Sequence, residues 1–501
     1  MAVGFNLIPG NIRAPIFAFE INSGGQFENV SRFLLVGHAN AGSSLVADVP
    51  VRCNNVEEAV ALAGRGSMLA EMLIATRLNA PAQDVWLLPI TDVGTAEVRT
   101  VTVGNVPASG GYAVLLIGDE AVALTINAGD TATAVAAALA AAINAYQNPL
   151  TKSGLPYTAT VAAGVVTLTA RHKGVIFSTV DLSIPVVTGG NAFNGALTFA
   201  TTTPGTGSPD LAAGLASLGD DPFDWIVSPF SDTANLARYQ VLLSDTSGRW
   251  AWNRQSYGHI FTTVTDTTSN LTTLGLSIDN RHITMVPRLA GAGNGTLPWV
   301  FLAALIARVV PWLSAGDLGD VSRNQTGLVV EGVTAPRDRS KWFNDYATRD
   351  AFLGTGLSTW VVGTDGRVAI DKLVTMQRTD GAGNVDTTFR DVQAIGQLVY
   401  VLRVFRERLH SEHGRKAIAD SNPGNLAAIT TVVDIANTFV AAYRSMPGVL
   451  ENSAEFIRQL DVQRNTGNPN RVDVYAPIDR INPLDVIAAN ATLYAQFREA
   501  V

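Results

Sequence analysis

The chain has 501 residues, 47% of them apolar and 16% charged, with a net charge of −8 at pH 7. That length accommodates about three domains of ~150 residues with ample core. So apolar a composition excludes long disordered tails of the weakly hydrophobic, highly charged kind, and the acidic balance offers no footprint for a phosphate backbone, which argues against nucleic acid as a partner.

The N-terminal stretch MAVGFNLIPGNIRAP lacks a charged start followed by an apolar run, so export through a signal peptide is not expected. Residues 11–22, NIRAPIFAFEIN, read as an extended segment with no partner strand nearby in sequence. From Ser31 to Ile90 the order is strand (RFLLVG), helical stretch (NNVEEAVALAG, then SMLAEMLIATRLN) and strand (DVWLLPI), the pattern of an α/β unit. Residues 95–204 change character: short alternating strands (EVRTVTV, YAVLLI, GVVTLTA) surround one Ala-rich helix that Asp130 or Thr131 would cap. This module ends in TTTPGTGSPD, which has linker chemistry. The α/β rhythm then resumes with DWIVSPF, the helix TANLARYQVLLSD, and the strands HIFTTV and HITMVP. WVFLAALIARVVPWL at 299–313 is too short to cross a bilayer and is broken by Arg308 and Pro311, so it predicts a buried helix.

Near residue 365 the composition shifts again, to a predicted strand KLVTMQRT, a DGAGN turn and a long helix. Its apolar positions Val392, Ile395, Leu398, Val399, Leu402, Phe405 and Leu409 bury one face. A second apolar helix is expected at about 425–446, and the last 30 residues return to extended character in RVDVYAPI and DVIAANATLYAQF. The reading is α/β and α+β multidomain. An N-terminal arm (1–24) precedes an α/β middle domain (25–94 and 205–364) that carries an inserted β-rich module (95–204). A C-terminal domain with a terminal arm (365–501) completes the chain.

The search for chemistry returns little. HITMVPRLAGAGNGTLPWVF has the strand, glycine loop and helix order of a dinucleotide fingerprint, but Gly291, Gly293 and Gly295 make G-x-G-x-G instead of G-x-G-x-x-G. A surface loop entering a helix through Pro298 is the simpler reading. His410 and His413 lack a second ligand-bearing arm, and cations at a helix C-terminus favour its dipole in any case. Cys53, the one cysteine, could be activated near a helix start but reads as an inert small residue; with no second cysteine there is no disulfide framework, and a reducing compartment is expected. Asp220 and Asp221 before a proline are turn residues. No nucleophile elbow and no phosphate loop occur. The sequence therefore predicts no enzyme, cofactor or metal. It predicts a building block, whose extended ends either pair at long range in their own chain or complete a neighbour's sheet. Head-to-tail exchange of such arms builds rings or helical filaments.

Three regions carry a resemblance. They are DPFDWIVSPFSDTANLARYQVLLSD with GRWAWNRQSYGHIF; APRDRSKWFNDYATRDAFLGTGLSTWVVGTDGRVAIDKLVTMQRT running into DTTFRDVQAIGQLVYVLRVFRERL; and NRVDVYAPIDRINPLDVIAANATLYAQF. In these the chain resembles the tail sheath proteins of contractile-tailed bacteriophages, the Mu-like branch above all, over nearly its whole length. The resemblance implies stacked hexameric rings around an inner tail tube, with baseplate and tail terminator proteins at the ends. Assembly would take place in the host bacterial cytoplasm, and contraction would drive the tube through a bacterial envelope for genome ejection, with no membrane insertion of the sheath. A sheath subunit of a bacterial contractile injection system shares the same physics.

The resemblance also implies arms that join a C-terminal domain in sheets shared between subunits. Ile12, Ala14, Ile16, Ala18 and Glu20 are expected on one face of the donated strand, and Arg13, Phe17 and Phe19 on the other. Val472, Val474, Val486, Ile487 and Leu493 are the candidates at the far end. Arg403, Arg406, Arg408, Arg415 and Lys416 form the densest basic cluster of the inner domain and are candidates for facing the tube, although a solvated helix face explains them as well.

Overall fold

The first long strand, β1 (Arg32–Gly37), is buried along nearly its whole length, as a run of Phe, Leu and Val without alternation requires of a central parallel strand. It belongs to a computed structural model that describes residues 31–493, so the predicted strand at 11–22 lies outside the described residues. After β1 come β2 (Val51–Arg52), α1 (Val56–Ala63), α2 (Met68–Asn79) and β3 (Val85–Pro89). Ser67 caps α2 by accepting from the Ala70 amide, and the helix is buried on almost every side.

The inserted segment follows: β4 (Ala96–Val103), β5 (Gly111–Ile117), β6 (Glu120–Ile126), α3 (Ala132–Ala145), β7 (Tyr157–Ala162), β8 (Val165–Lys173), β9 (Leu182–Ser183) and β10 (Leu197–Thr203). Its strands form two small antiparallel sheets, in the orders β10-β4-β8-β7 and β6-β5-β9. Thr131 is the cap of α3. The segment leaves and returns at one stem, where Thr95 and Thr206 exchange backbone hydrogen bonds of 3.1 and 3.2 Å. Gly94 sits there at φ +89°, and a Cβ on it would lie 1.9 Å from the Thr206 carbonyl oxygen, so only glycine fits.

The α/β rhythm resumes with α4 (Ala212–Ala216), β11 (Phe223–Val227), α5 (Thr233–Leu242), β12 (His259–Asp266), α6 (Thr268–Ser277), β13 (Ile283–Leu289) and α7 (Pro298–Ser314). The six-stranded sheet runs β13-β12-β11-β1-β3-β2, parallel throughout except for the β2–β3 pair. Strands from before and after the insertion therefore meet at the β1–β11 pair. The greasy run at 299–313 is the buried α7, entered through Pro298, and no described helix is long and apolar enough to cross a membrane.

Next come β14 (Val329–Thr334), α8 (Tyr346–Gly354), β15 (Thr359–Val362) and β16 (Arg367–Lys372), whose three strands form a sheet ordered β14-β16-β15. One expectation is corrected here. The strand predicted at 372–379 is formed at 367–372 instead, because Gly366 at φ +78° closes a turn that fixes the β15–β16 register.

The rest of the chain is helical with short hairpins: α9 (Val392–His413), β17 (Ala417–Ile418), β18 (Ile429–Thr430), α10 (Val432–Arg444), α11 (Ser453–Gln459), β19 (Asp461–Arg464) and β20 (Val472–Tyr475). The first half of α9 puts Val392, Ile395 and Val399 into the main core. Further along, Val401, Val404 and Phe405 enter a separate small core with Phe439, Tyr443 and Phe456. A capping box between Thr431 and Asp434 starts α10.

Candidate assembly interface

Where an α/β protein would hold an anionic ligand, this chain places carboxylates of its own. Gly291, Gly293 and Gly295 do take positive φ, but the loop from 293 onward is buried, not a surface loop. Arg288 donates to the Thr296 carbonyl at 2.7 Å, and the Thr296 hydroxyl donates at 2.7 Å to Asp119 of the inserted segment. A carboxylate thus stands just ahead of α7, where a dinucleotide fingerprint would need a pyrophosphate. A cavity of about 290 Å³ lies at the carboxyl ends of β1, β11 and β12, lined by His38, Phe230, Thr265 and Asp232. This is the switch point of the sheet, the usual ligand position in such folds. Asp232, however, caps α5 there by accepting from the Asn235 amide at 3.2 Å, so an anion entering would meet a carboxylate.

The other chemical candidates are spent on structure. Both ring nitrogens of His413 face hydroxyls, those of Thr438 at 2.8 Å and Thr430 at 2.9 Å, while His410 is exposed. No group of three metal-ligating side chains occurs among the described residues. Cys53 is fully buried, and burial pushes its thiol up to about 11, away from reactivity. Asp220 accepts from Arg254 and Ser256, and Asp221 pairs with Arg32 at 2.7 Å.

What the C-terminal region presents instead is a short sheet, an apolar groove and an exposed tail. β19 and β20 form a two-stranded sheet, Val462 opposite Val474 and Arg464 opposite Val472, with no third strand among the described residues. Val472 and Val474, expected in an exchanged arm, therefore have a partner in their own chain. Beside β20, an open groove is lined by Tyr257, Leu402, Phe405, Phe439, Val474 and Ile478.

After the hairpin the chain is rooted and then released. The Ile481 amide donates to the Val449 carbonyl at 2.9 Å, and Gln397 donates to the Ile481 carbonyl at 2.8 Å. Asn324 holds the Leu484 carbonyl at 2.5 Å. Lys372 joins Asp391, at 2.9 Å, to Asp485, and Arg480 lies 3.7 Å from Asp391. Beyond this clasp Val486, Ile487 and Leu493 are 78, 80 and 98% exposed. Among the described residues nothing covers these three large apolar side chains, an exposure that burial in a single fold would not leave. The N-terminal candidates from Ile12 to Glu20 lie outside the described residues.

The basic cluster divides. Arg406, Arg408, Arg415 and Lys416 are exposed. Arg403 is not a surface cation: it turns inward onto Asp224 in β11, through Nη1 and Nη2 at 2.7 Å each. Sequence spacing put it among its neighbours on α9, but it falls on the face that meets the sheet.

The class that the chain resembles is a structural one, the tail sheath subunit, and not an enzyme. It is 28% identical, over 504 aligned residues covering 97% of the chain and 99% of the relative, to the Mu-like prophage FluMu tail sheath protein of Haemophilus influenzae. The resemblance carried by the three sequence regions is borne out by that match. No family model matches the chain. Among solved structures, the sheath tail protein Lin1278 from Listeria innocua is 15% identical, with TM-score 0.47 over 90% of this chain and 92% of that one. A chain of the anti-feeding prophage baseplate is 13% identical, with TM-score 0.42 over 96% of this chain and 99% of that one.

Proposed function

We propose that the chain is the sheath subunit of a contractile tail, polymerising as stacked six-subunit rings around an inner tube and contracting to drive the tube through a bacterial envelope. The observation that carries this reading is the end-to-end likeness to a tail sheath protein. The exposed apolar tail after Asp485 supports it, since residues 486–493 gain a partner only from outside the described fold.

In this reading residues 1–24 are an arm, 25–94 with 205–364 an outward α/β domain, 95–204 a peripheral module and 365–501 the inner domain. The N-terminal strand, with Ile16 on one face and Phe17 and Phe19 on the other, completes the two-stranded β19–β20 sheet of a neighbour. The tail carrying Val486, Ile487 and Leu493 is given to another. Exchanged ladders must be stripped whole to separate subunits, so rigid bodies rotate while the lattice stays connected. Contraction needs no nucleotide when the extended array is kinetically trapped above the contracted one. Arg406, Arg408, Arg415 and Lys416 face acidic groups of the tube, and the baseplate and terminator proteins close the two ends of the assembly.

Deletion of residues 1–22 tests the arm. The truncated chain should fold and stay soluble without forming tubular polymers in electron micrographs, whereas normal sheaths from it would refute strand donation.

A further inference from the structure

One side of the seam between the inserted segment and the α/β body lies at the start of α2. His172, near the end of β8, accepts at Nε2 from the Met68 amide at 3.3 Å. Met68 is the first residue of α2 after its cap Ser67, and its amide has no acceptor within the helix. A histidine of the inserted segment thus takes up a helix-start amide of the body. Three residues further along α2, Glu71 accepts from the amides of Gly66, just ahead of the helix, and of Gly154 in the inserted segment. On the glycine-loop side the contacts carry no histidine. There the Thr296 hydroxyl donates to Asp119, Arg337 pairs with Asp181, and the Phe177 and Trp299 ring centroids are 5.0 Å apart.

The contact at α2 forms only while His172 is neutral. A proton on Nε2 would set an N–H against the Met68 N–H, and its charge would stand at a helix N-terminus, where the macrodipole disfavours cations. The surroundings act the same way: burial, the His38 ring 5.5 Å away and the adjacent Arg171 push the His172 ring down to about 3. His38, just after β1, donates from Nδ1 to the Ile90 carbonyl at 2.8 Å, and burial lowers it too, against that carbonyl and Asp92. The carboxylates near this end of β8 have other partners. Asp92 accepts from the Lys173 amide at 2.7 Å, and Glu97 of β4 pairs with Arg99 at 2.9 Å and accepts from Tyr157 at 2.6 Å. Arg171 donates from Nε to the Leu155 carbonyl at 2.8 Å, and Arg65 packs its stem beside Gly154.

We infer that the α2 side of this seam is an acid-opened joint: a proton on His172 takes the acceptor from the Met68 amide and detaches β8 from the start of α2, while the Thr95–Thr206 stem and the glycine-loop contacts keep the inserted segment attached. The His172 contribution is complete above about pH 6.5 and is lost as pH falls toward 3, by up to about tenfold in the closed-to-open ratio per pH unit. Glu71, pushed up to about 8 by burial, acts with the opposite sign between about pH 4.5 and 8. The two oppose each other between pH 4.5 and 6.5, and below that the histidines act without Glu71.

The experiment is amide hydrogen exchange of the full chain between about pH 3.5 and 7, corrected for intrinsic rates, on wild type, His172→Gln and Glu71→Gln. Glutamine offers Met68 an acceptor that takes up no proton in this range. Protection of the Met68 amide in wild type relative to His172→Gln should fall as pH drops, about tenfold between pH 4.5 and 3.5, while that of Ile226 in the central sheet stays level. In Glu71→Gln, free of the opposing titration, Met68 protection should already fall between pH 6.5 and 4.5. A Met68 ratio independent of pH overturns the joint, because His172 then does not control the contact. An equal loss at Ile226 overturns it too, because acid then unfolds the chain as a whole. Should His172→Gln not fold, Glu71→Gln decides: Met68 protection that holds from pH 6.5 to 3.5 overturns the joint.

Discussion

Arg403 of α9 and Asp224 of β11 are 179 residues apart in sequence and meet as a bidentate pair, both hydrogen bonds 2.7 Å long, with the carboxylate side chain only 4% exposed. The pair ties the helix that spans the two cores to the central sheet. A buried ion pair contributes little net stability compared with apolar residues, but breaking one leaves a charge stranded. Arg403→Met should therefore cost about 3–5 kcal/mol in urea unfolding. The double variant Asp224→Leu/Arg403→Met should regain most of that loss. Additive losses in the double variant would show that the pair is not the coupling.

Glu71 gives a pH signature. It lies inside α2, where burial pushes its carboxyl up to about 8 even though it accepts from the amides of Gly154 at 2.9 Å and Gly66 at 3.2 Å. Below about pH 4.5 the folded and unfolded chains both carry the proton. Between there and about pH 8 only the folded chain keeps it, so stability falls as pH rises, by at most ~1.4 kcal/mol per unit. Glu71→Gln removes this titration. The stability difference between variant and wild type should tilt toward the variant from pH 5 to 8 and level off above. A difference independent of pH across that window would contradict a neutral Glu71.

Much of the fold was legible because local chemistry and tertiary environment agree. β1, α2 and α7 are buried on nearly every side and read as mostly apolar runs; Thr131 and Pro298 mark helix starts that need no distant partner. The failures share one cause. Leu373, Val374, Thr375 and Met376 are all at most 2% exposed, so their apolar run imitates a strand although β16 ends at Lys372. Arg403 reads as one of a row of cations until β11, far off in sequence, supplies its carboxylate. Of the candidate interface, the tail was legible as an extended segment; its root at Lys372 and Asn324 was not, because both come from distant elements.

The inserted module protects one edge of its four-stranded sheet. Asn144 of α3 donates from Nδ2 to the Ala159 carbonyl at 2.7 Å and accepts from the Ala159 amide at 2.9 Å, taking the place of a neighbouring strand on β7. Asn144→Ala should uncover these groups, costing about 1–2 kcal/mol in unfolding. Because an uncovered edge is a template for pairing, the variant should also associate with rising concentration. Light scattering indistinguishable from wild type at high concentration would mean that the side chain does not guard the edge.

The C-terminal tail tests the clasp. Lys372 is the cation between Asp391 and Asp485, and its removal leaves Asp485 with Asn324 and Asp391 with Arg480. The hydrogen bonds at Ile481 come from Val449 and Gln397 and do not involve Lys372, so they should survive. Loosening should start only after Ile481 and run outward through Leu484 and Asp485. Partly exposed pairs of this kind contribute about 1 kcal/mol, a factor of roughly five in the open population. Lys372→Met should therefore speed proteolysis within residues 482–487 about fivefold, with cleavage before 479 unchanged. High salt should do the same to the wild-type chain, since solvent-facing charges are screened within about 3 Å at 1 M ionic strength. The freed residues would add up to ~3.3–3.6 Å each to the reach of the tail, so the clasp sets how far residues 486–493 extend from the body. Equal cleavage rates in wild type and variant, at low and high salt, would assign the root to its backbone hydrogen bonds alone.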